Sequence, residues 1–228
     1  PPRAPMPPPP PPRRARPSAP APRGGPRPPP PPGAAPTHPT PPPAGPGRAP
    51  GAWARPGGGR SSIAPPPHDE QIARMKALDM VPSFLINHVH YWGHVMRDQV
   101  FGPEKVQLLD RCGAVEKAGL NWVMHSDAPV SPLGSLHKIR VAVARDLWKE
   151  PETILAPDER VSVEAAIRSV TRNAAWACHS DHEIGSLEPG KLADFVVLED
   201  DPRAVDPAAI SDIGVSETWM DGRRVFGS

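Results

Sequence analysis

Val81-Pro82-Ser83-Phe84-Leu85-Ile86-Asn87 runs without a break into His88-Val89-His90-Tyr91-Trp92-Gly93-His94. A short apolar run that ends abruptly in polar groups reads as a buried strand delivering side chains to its carboxyl end. Pro82 suits the first positions of such a strand. Upstream, residues 69–79 carry Ile72, Met75 and Leu78 at helical spacing and predict a short amphipathic helix. Downstream, residues 103–118 predict a helix with Pro103 in its first turn, Val106, Leu109 and Ala114 inward, and Gly119 as its stop. Leu120–Met124 is the next strand and ends in His125-Ser126-Asp127. Ser135–Trp148 and Ser162–Cys178 predict two further helices, the second with Ser162 as N-cap and Glu164 in its first turn. Strands alternating with helices define an α/β chain built on a parallel layer or barrel.

The pattern changes after Gly185. Glu188-Pro189-Gly190 predicts a type II turn, and Ala193–Leu198 a strand. Val215–Met220 and Arg223–Phe226 flank Asp221-Gly222, a strong hairpin signal. The chain therefore ends in a small antiparallel piece.

Composition divides the 228 residues differently. Twenty-nine of the 38 prolines fall in residues 1–67, with nine Arg and no Lys, Asp or Glu. The formal net charge of +1 is thus a +9 segment joined to a −8 body of 161 residues. Runs such as Pro7–Pro12 and Pro28–Pro32 favour polyproline II, and little in the segment can be buried, so disorder is expected over 1–67. Three readings of the segment stand open: a ligand for SH3-type grooves or anionic surfaces, an inert tail, or GC-rich DNA read in an unselected frame. The body is shorter than the ~250 residues of a complete (β/α)₈ barrel. Cys112 and Cys178 form no disulfide framework, and no apolar run spans a membrane; a cytoplasmic chain is expected, with no nucleic-acid or membrane partner. Oligomeric state stays open.

In parallel α/β folds, ligands gather at the carboxyl ends of strands. One strand here delivers His88, His90 and His94, the other His125 and Asp127. Neutral imidazole and carboxylate suit Zn²⁺ and similar ions, and a carboxylate beside an activated water can take its proton and pass it on. His94 and His137 read more simply as core or surface residues. His179 and His182 suit the negative end of the helix they follow. His88 is balanced between ligand and packed histidine on spacing alone.

His125-Ser126-Asp127-Ala128-Pro129-Val130 resembles the Ser-Asp-x-Pro-Val segment of amidohydrolase family 3, a branch of the metal-dependent amidohydrolases. Thr171-Arg172-Asn173-Ala174-Ala175 resembles its Thr-x-Asn-x-Ala helix. Gly185-Ser186-Leu187-Glu188-Pro189-Gly190-Lys191-Leu192-Ala193-Asp194 and Thr218-Trp219-Met220-Asp221-Gly222 are similar to its C-terminal signature and closing hairpin. The resemblance covers about residues 69–227.

The resemblance implies residues 68–184 of a partial (β/α)₈ (TIM) barrel and residues 185–228 of a β-sandwich made from both chain ends. It implies hydrolysis of a carbon–nitrogen bond other than a peptide bond, in a small amide-like substrate, with a divalent metal, Zn²⁺ in the complete enzyme. Asp127 is then metal ligand and acid/base, and His88 a metal ligand. His90 is the alternative match for that ligand, and His90 and His125 are candidates for a contact to substrate or to a ligand. The family's His-x-His pair, bridging Lys and fifth-strand His all belong N-terminal to the matched region. Residues 1–67 hold one His, His38, and no Lys or carboxylate. Two direct ligands are too few for a catalytic zinc, so this chain is expected to be truncated and inactive alone. The other class of reading is a non-catalytic scaffold with a partner-binding Pro-rich tail.

Overall fold

The computed structural model describes residues 60–62 and 67–227. The disorder expected for 1–67 lies outside the described residues, except that Arg60–Ser62 is a strand, β1. It pairs in parallel with β2 (Val81–Phe84), in the register Arg60↔Val81 to Ser62↔Ser83. β2 pairs in parallel with β3 (Val123–Met124), with Phe84 opposite Met124. Strand β2 is therefore central, flanked on both sides, and its apolar run is buried accordingly.

Between β1 and β2 runs α1 (Asp69–Ala77), whose Ile72 and Met75 face the core as the spacing predicts. Beyond β2 come α2 (Asn87–Val95), a π-helical segment (Met96–Phe101), α3 (Gly102–Lys105) and α4 (Cys112–Lys117). After β3 come α5 (Ser135–Ala144), the antiparallel pair β4 (Asp146–Leu147) and β5 (Glu150–Ile154), then α6 (Val163–Val170) and α7 (Arg172–Ala177). The main apolar cluster has Phe84, Ile86, Val89, Trp122, Val141 and Ala166 at its centre, and a smaller one packs Ala177 of α7 against Val81 and Val123. The last sheet is antiparallel, in the order β6 (Phe195–Leu198), β7 (Val215–Met220), β8 (Arg223–Phe226). Asp221 and Gly222 turn the hairpin with φ of 50° and 67°, as a type I′ turn requires. No helix among the described residues is long and apolar enough to cross a membrane.

Several expected elements are shorter than the pattern suggests, each for an identifiable reason. The strand from Val81 stops at Phe84, where its ladder with β3 ends. His88 and Val89 then donate backbone N–H to Leu85 O and Ile86 O, and a helix begins. The helix expected over 103–118 is broken at Leu109 and Asp110. Their carbonyls go instead to the buried guanidinium of Arg145, at 2.7 and 3.1 Å. Arg145 itself ends α5 in a left-handed conformation, φ 56°, so the helix expected to reach Trp148 gives way to the β4–β5 pair.

The helix expected over 162–178 breaks at Thr171, φ −122° and ψ −95°. Thr171 Oγ1 donates to Ile167 O at 2.8 Å, a local bond that competes with the helix. Gly185 packs against this corner at φ +91°; a Cβ there would lie 2.5 Å from Ala175 Cβ. The Ser162 N-cap is as expected, accepting from Ala165 N at 3.1 Å.

Candidate active site

Strands β2 and β3 carry the candidate groups to one end of the parallel sheet. His125 prolongs the ladder by donating its N–H to Phe84 O at 2.9 Å. Its Nδ1 lies 2.9 Å from Ser83 Oγ on β2, so the half-buried ring is tied to the neighbouring strand. Asp127 follows two residues on, exposed, with φ 52°. Asp tolerates this left-handed conformation better than most residues. Val130 N donates to Asp127 O at 2.9 Å and closes a turn that contains the cis Ala128–Pro129 bond.

His88 occupies the first turn of α2, half-buried, its ring edge-on to Trp92 at 5.2 Å. Burial lowers its pKa; Asp127 opposes the shift and His125 adds to it. The His125 pKa is likewise lowered, by burial first, against Asp127 and with Lys138. Burial also lowers the Lys138 pKa. His88, His125, Asp127 and Lys138 thus share one electrostatic neighbourhood. It offers two imidazoles that burial biases towards the uncharged form, beside the exposed Asp127 side chain.

His90 lies elsewhere. It is buried, with Nδ1 3.0 Å from Asp146 O and 3.4 Å from Asp146 Oδ2, and its ring touches Tyr91 and His137. The charge of Asp127 acts on His88, whereas His90 bonds to Asp146. His137 packs in that second cluster, its pKa lowered to about 4 by burial, with His90 and Arg140 adding to the shift. His182 Nε2 lies 3.6 Å from Glu183 Oε1.

Among the described residues no three His, Cys, Asp or Glu side chains are disposed to hold a metal ion. A catalytic zinc takes three protein ligands and a water. These residues therefore do not by themselves fit a catalytic metal.

Three residues with roles here escaped the pattern reading. Ser83 is the one polar residue inside an apolar strand, which is a signal in itself. Lys138 sits in the first turn of the helix that follows the Ser-Asp-x-Pro-Val loop. Asn87 ends the apolar run and is completely buried.

A parallel layer with imidazole and carboxylate groups at one strand end places the chain among α/β proteins with a strand-end site. The model of the amidohydrolase family matches residues 47–226, and the chain belongs to that family. The match crosses the compositional boundary at residue 68 and takes in β1. The putative amidohydrolase YtcJ of Bacillus subtilis is 28% identical over 159 residues, which are 69% of this chain and 29% of that protein. The N-substituted formamide deformylase of Arthrobacter pascens is 33% identical over 105 residues, 46% of this chain and 19% of that enzyme. Among solved structures, an uncharacterized metal-dependent hydrolase from Pyrococcus horikoshii superposes with a TM-score of 0.56. It is 24% identical, over 65% of this chain and 30% of that one. The chain thus spans less than a third of the length of each, and the mixed α/β fold is shared with that part.

Proposed function

We propose that residues 68–228 are the C-terminal portion of a (β/α)₈ barrel and its β-sandwich, from a metal-dependent hydrolase of non-peptide carbon–nitrogen bonds. The observation that carries this reading is the placement of Asp127 on a left-handed corner at the end of β3, in the mutual field of His88 and His125. Asp127 acts as the acid/base, taking a proton from the attacking water and returning it to the leaving nitrogen. Asp127 and His88 are offered as metal ligands, Zn²⁺ being the ion their chemistry suits, and His125 as a contact to substrate or to a ligand. His90 takes no part. The substrate is a small amide-like molecule, by analogy with the formamides named for the deformylase. Two ligands do not complete a catalytic zinc, so turnover needs ligands beyond the described residues.

The test is an assay for amine release from N-substituted formamides with added Zn²⁺. The 228-residue chain alone is expected to give none. Mixed with the N-terminal remainder of the deformylase, it is expected to turn over, and Asp127→Asn to abolish that turnover. Tight stoichiometric zinc binding with turnover by the chain alone would overturn the incomplete site, and full activity in Asp127→Asn would overturn the role of Asp127.

A further inference from the structure

We infer that Asn87 is a positioning residue for Asp127, acting through Ser131. Asn87 stands at the start of α2 and is completely buried. Its Nδ2 donates to Ser131 Oγ at 2.8 Å and to Pro132 O at 3.3 Å. Ser131, also buried, donates its hydroxyl proton to the carbonyl of Ser126. The direction of this relay is fixed by the donor inventory. Pro132 O can only accept, and the Ser131 proton is already spent on Ser126 O, so the amide must present its NH₂ to both. Asn87 Oδ1 is then left buried without a partner. A buried carbonyl without a partner keeps its full desolvation penalty, so this arrangement is held against a cost.

The segment that the relay encloses is Ser126 to Pro132. It contains Asp127, at φ 52°, and the turn closed by Val130 N on Asp127 O. Ser126 is buried, whereas residues 127 to 130 are exposed. The two ends of the turn are therefore held by one serine hydroxyl, and that hydroxyl is held by Asn87. The amide links the helix that carries His88 to the loop that carries Asp127. Asn87 adjoins His88 in sequence, so the relay fixes the separation of these two groups by bonds to neither. The strain of the left-handed Asp127 and the unsatisfied Oδ1 are both maintained by this clamp.

The role of Asp127 is the one proposed above, and this inference rests on it, but its test needs neither metal nor turnover. In uniformly labelled 228-residue chain, the backbone shifts and three-bond coupling of Asp127 report its left-handed φ. Amide exchange at Val130 reports the turn. Asn87→Ala and Ser131→Ala are expected to move Asp127 towards extended shifts and to speed Val130 exchange at least tenfold. Ser131→Thr, which keeps the hydroxyl, is expected to restore both. Ser169→Ala serves as control, because it removes another buried hydroxyl that donates to a carbonyl, Ala166 O at 2.7 Å. It is expected to leave Asp127 and Val130 unchanged. If Asn87→Ala does not fold, the Ser131 pair decides the matter alone. Left-handed Asp127 shifts and slow Val130 exchange retained in Ser131→Ala would overturn the inference, as would an equal effect of Ser169→Ala.

Discussion

Ser83 Oγ and His125 Nδ1 lie 2.9 Å apart across the parallel pairing of β2 and β3. The bond ties one imidazole nitrogen to the sheet. Ser83→Ala is expected to cost about 1 kcal/mol, the ordinary worth of one hydrogen bond. The check is a urea midpoint that falls with an unchanged slope. In the same variant the long-range ¹H–¹⁵N pattern of the His125 ring is expected to change, and those of the other histidines to stay.

Arg145 is the largest fully buried polar side chain among the described residues. Its guanidinium donates to Leu155 O, Asp110 O and Leu109 O at 2.8, 3.1 and 2.7 Å. These carbonyls belong to segments that have no helix or ladder partner for them. Arg145→Ala is expected to destabilise by about 3 kcal/mol or more, because three buried acceptors lose a charged donor together. Arg145→Lys restores one point of charge but not the fork, and is expected to recover little. Thermal unfolding of the two variants beside the wild type measures both.

The place of Asp127 just beyond the end of β3 was legible because a buried strand can be recognised from its apolar run and its first polar residue marks the exit. His88 and His90 show where that reasoning stops. On a strand, residues two apart share a face; on a helix, at 3.6 residues per turn, they diverge by about 200°. Because the ladder stops at Phe84 and α2 starts at Asn87, the two rings part: His88 lies edge-on to Trp92 within the field of Asp127, and His90 bonds to Asp146. Nothing local in the sequence states where a ladder ends, since that depends on the length of the partner strand. The same applies to the broken helices. Arg145 draws off the Leu109 and Asp110 carbonyls from 35 residues away, an event outside any window of periodicity. The Asp221-Gly222 hairpin needed only its own residues and appears as expected.

Gly185 is where two of the family-like motifs meet. It sits at φ +91°, and a Cβ there would lie 2.5 Å from Ala175 and 3.2 Å from the Arg172 backbone. Gly185→Ala combines a strained φ with overpacking against α7, for an expected cost of about 2–4 kcal/mol. The melting temperature is expected to fall. Limited proteolysis is expected to cut first between Cys178 and Leu192, where the chain leaves α7 for the C-terminal sheet.

Asp110 and His137 give stability opposite slopes with pH. Burial raises the Asp110 carboxyl from its usual 3.8 to about 6, against the pull of Arg145. The folded state therefore holds this proton more tightly than the unfolded chain. The stability it confers is complete below pH 3.8 and is lost as pH rises through 6. His137 is displaced the other way, from 6.5 down to about 4, chiefly by burial. Its contribution is complete above pH 6.5 and is lost as pH falls through 4. The two partly cancel in the wild type between pH 4 and 6, so single variants are needed to see them. The stability of the wild type minus that of Asp110→Asn is expected to fall from pH 4 to pH 6 and then level. The same difference for His137→Gln is expected to rise over pH 4 to 6.5. Urea titrations at half-unit intervals of pH decide the signs, and two slopes of the same sign would show that one of these groups is not buried as described.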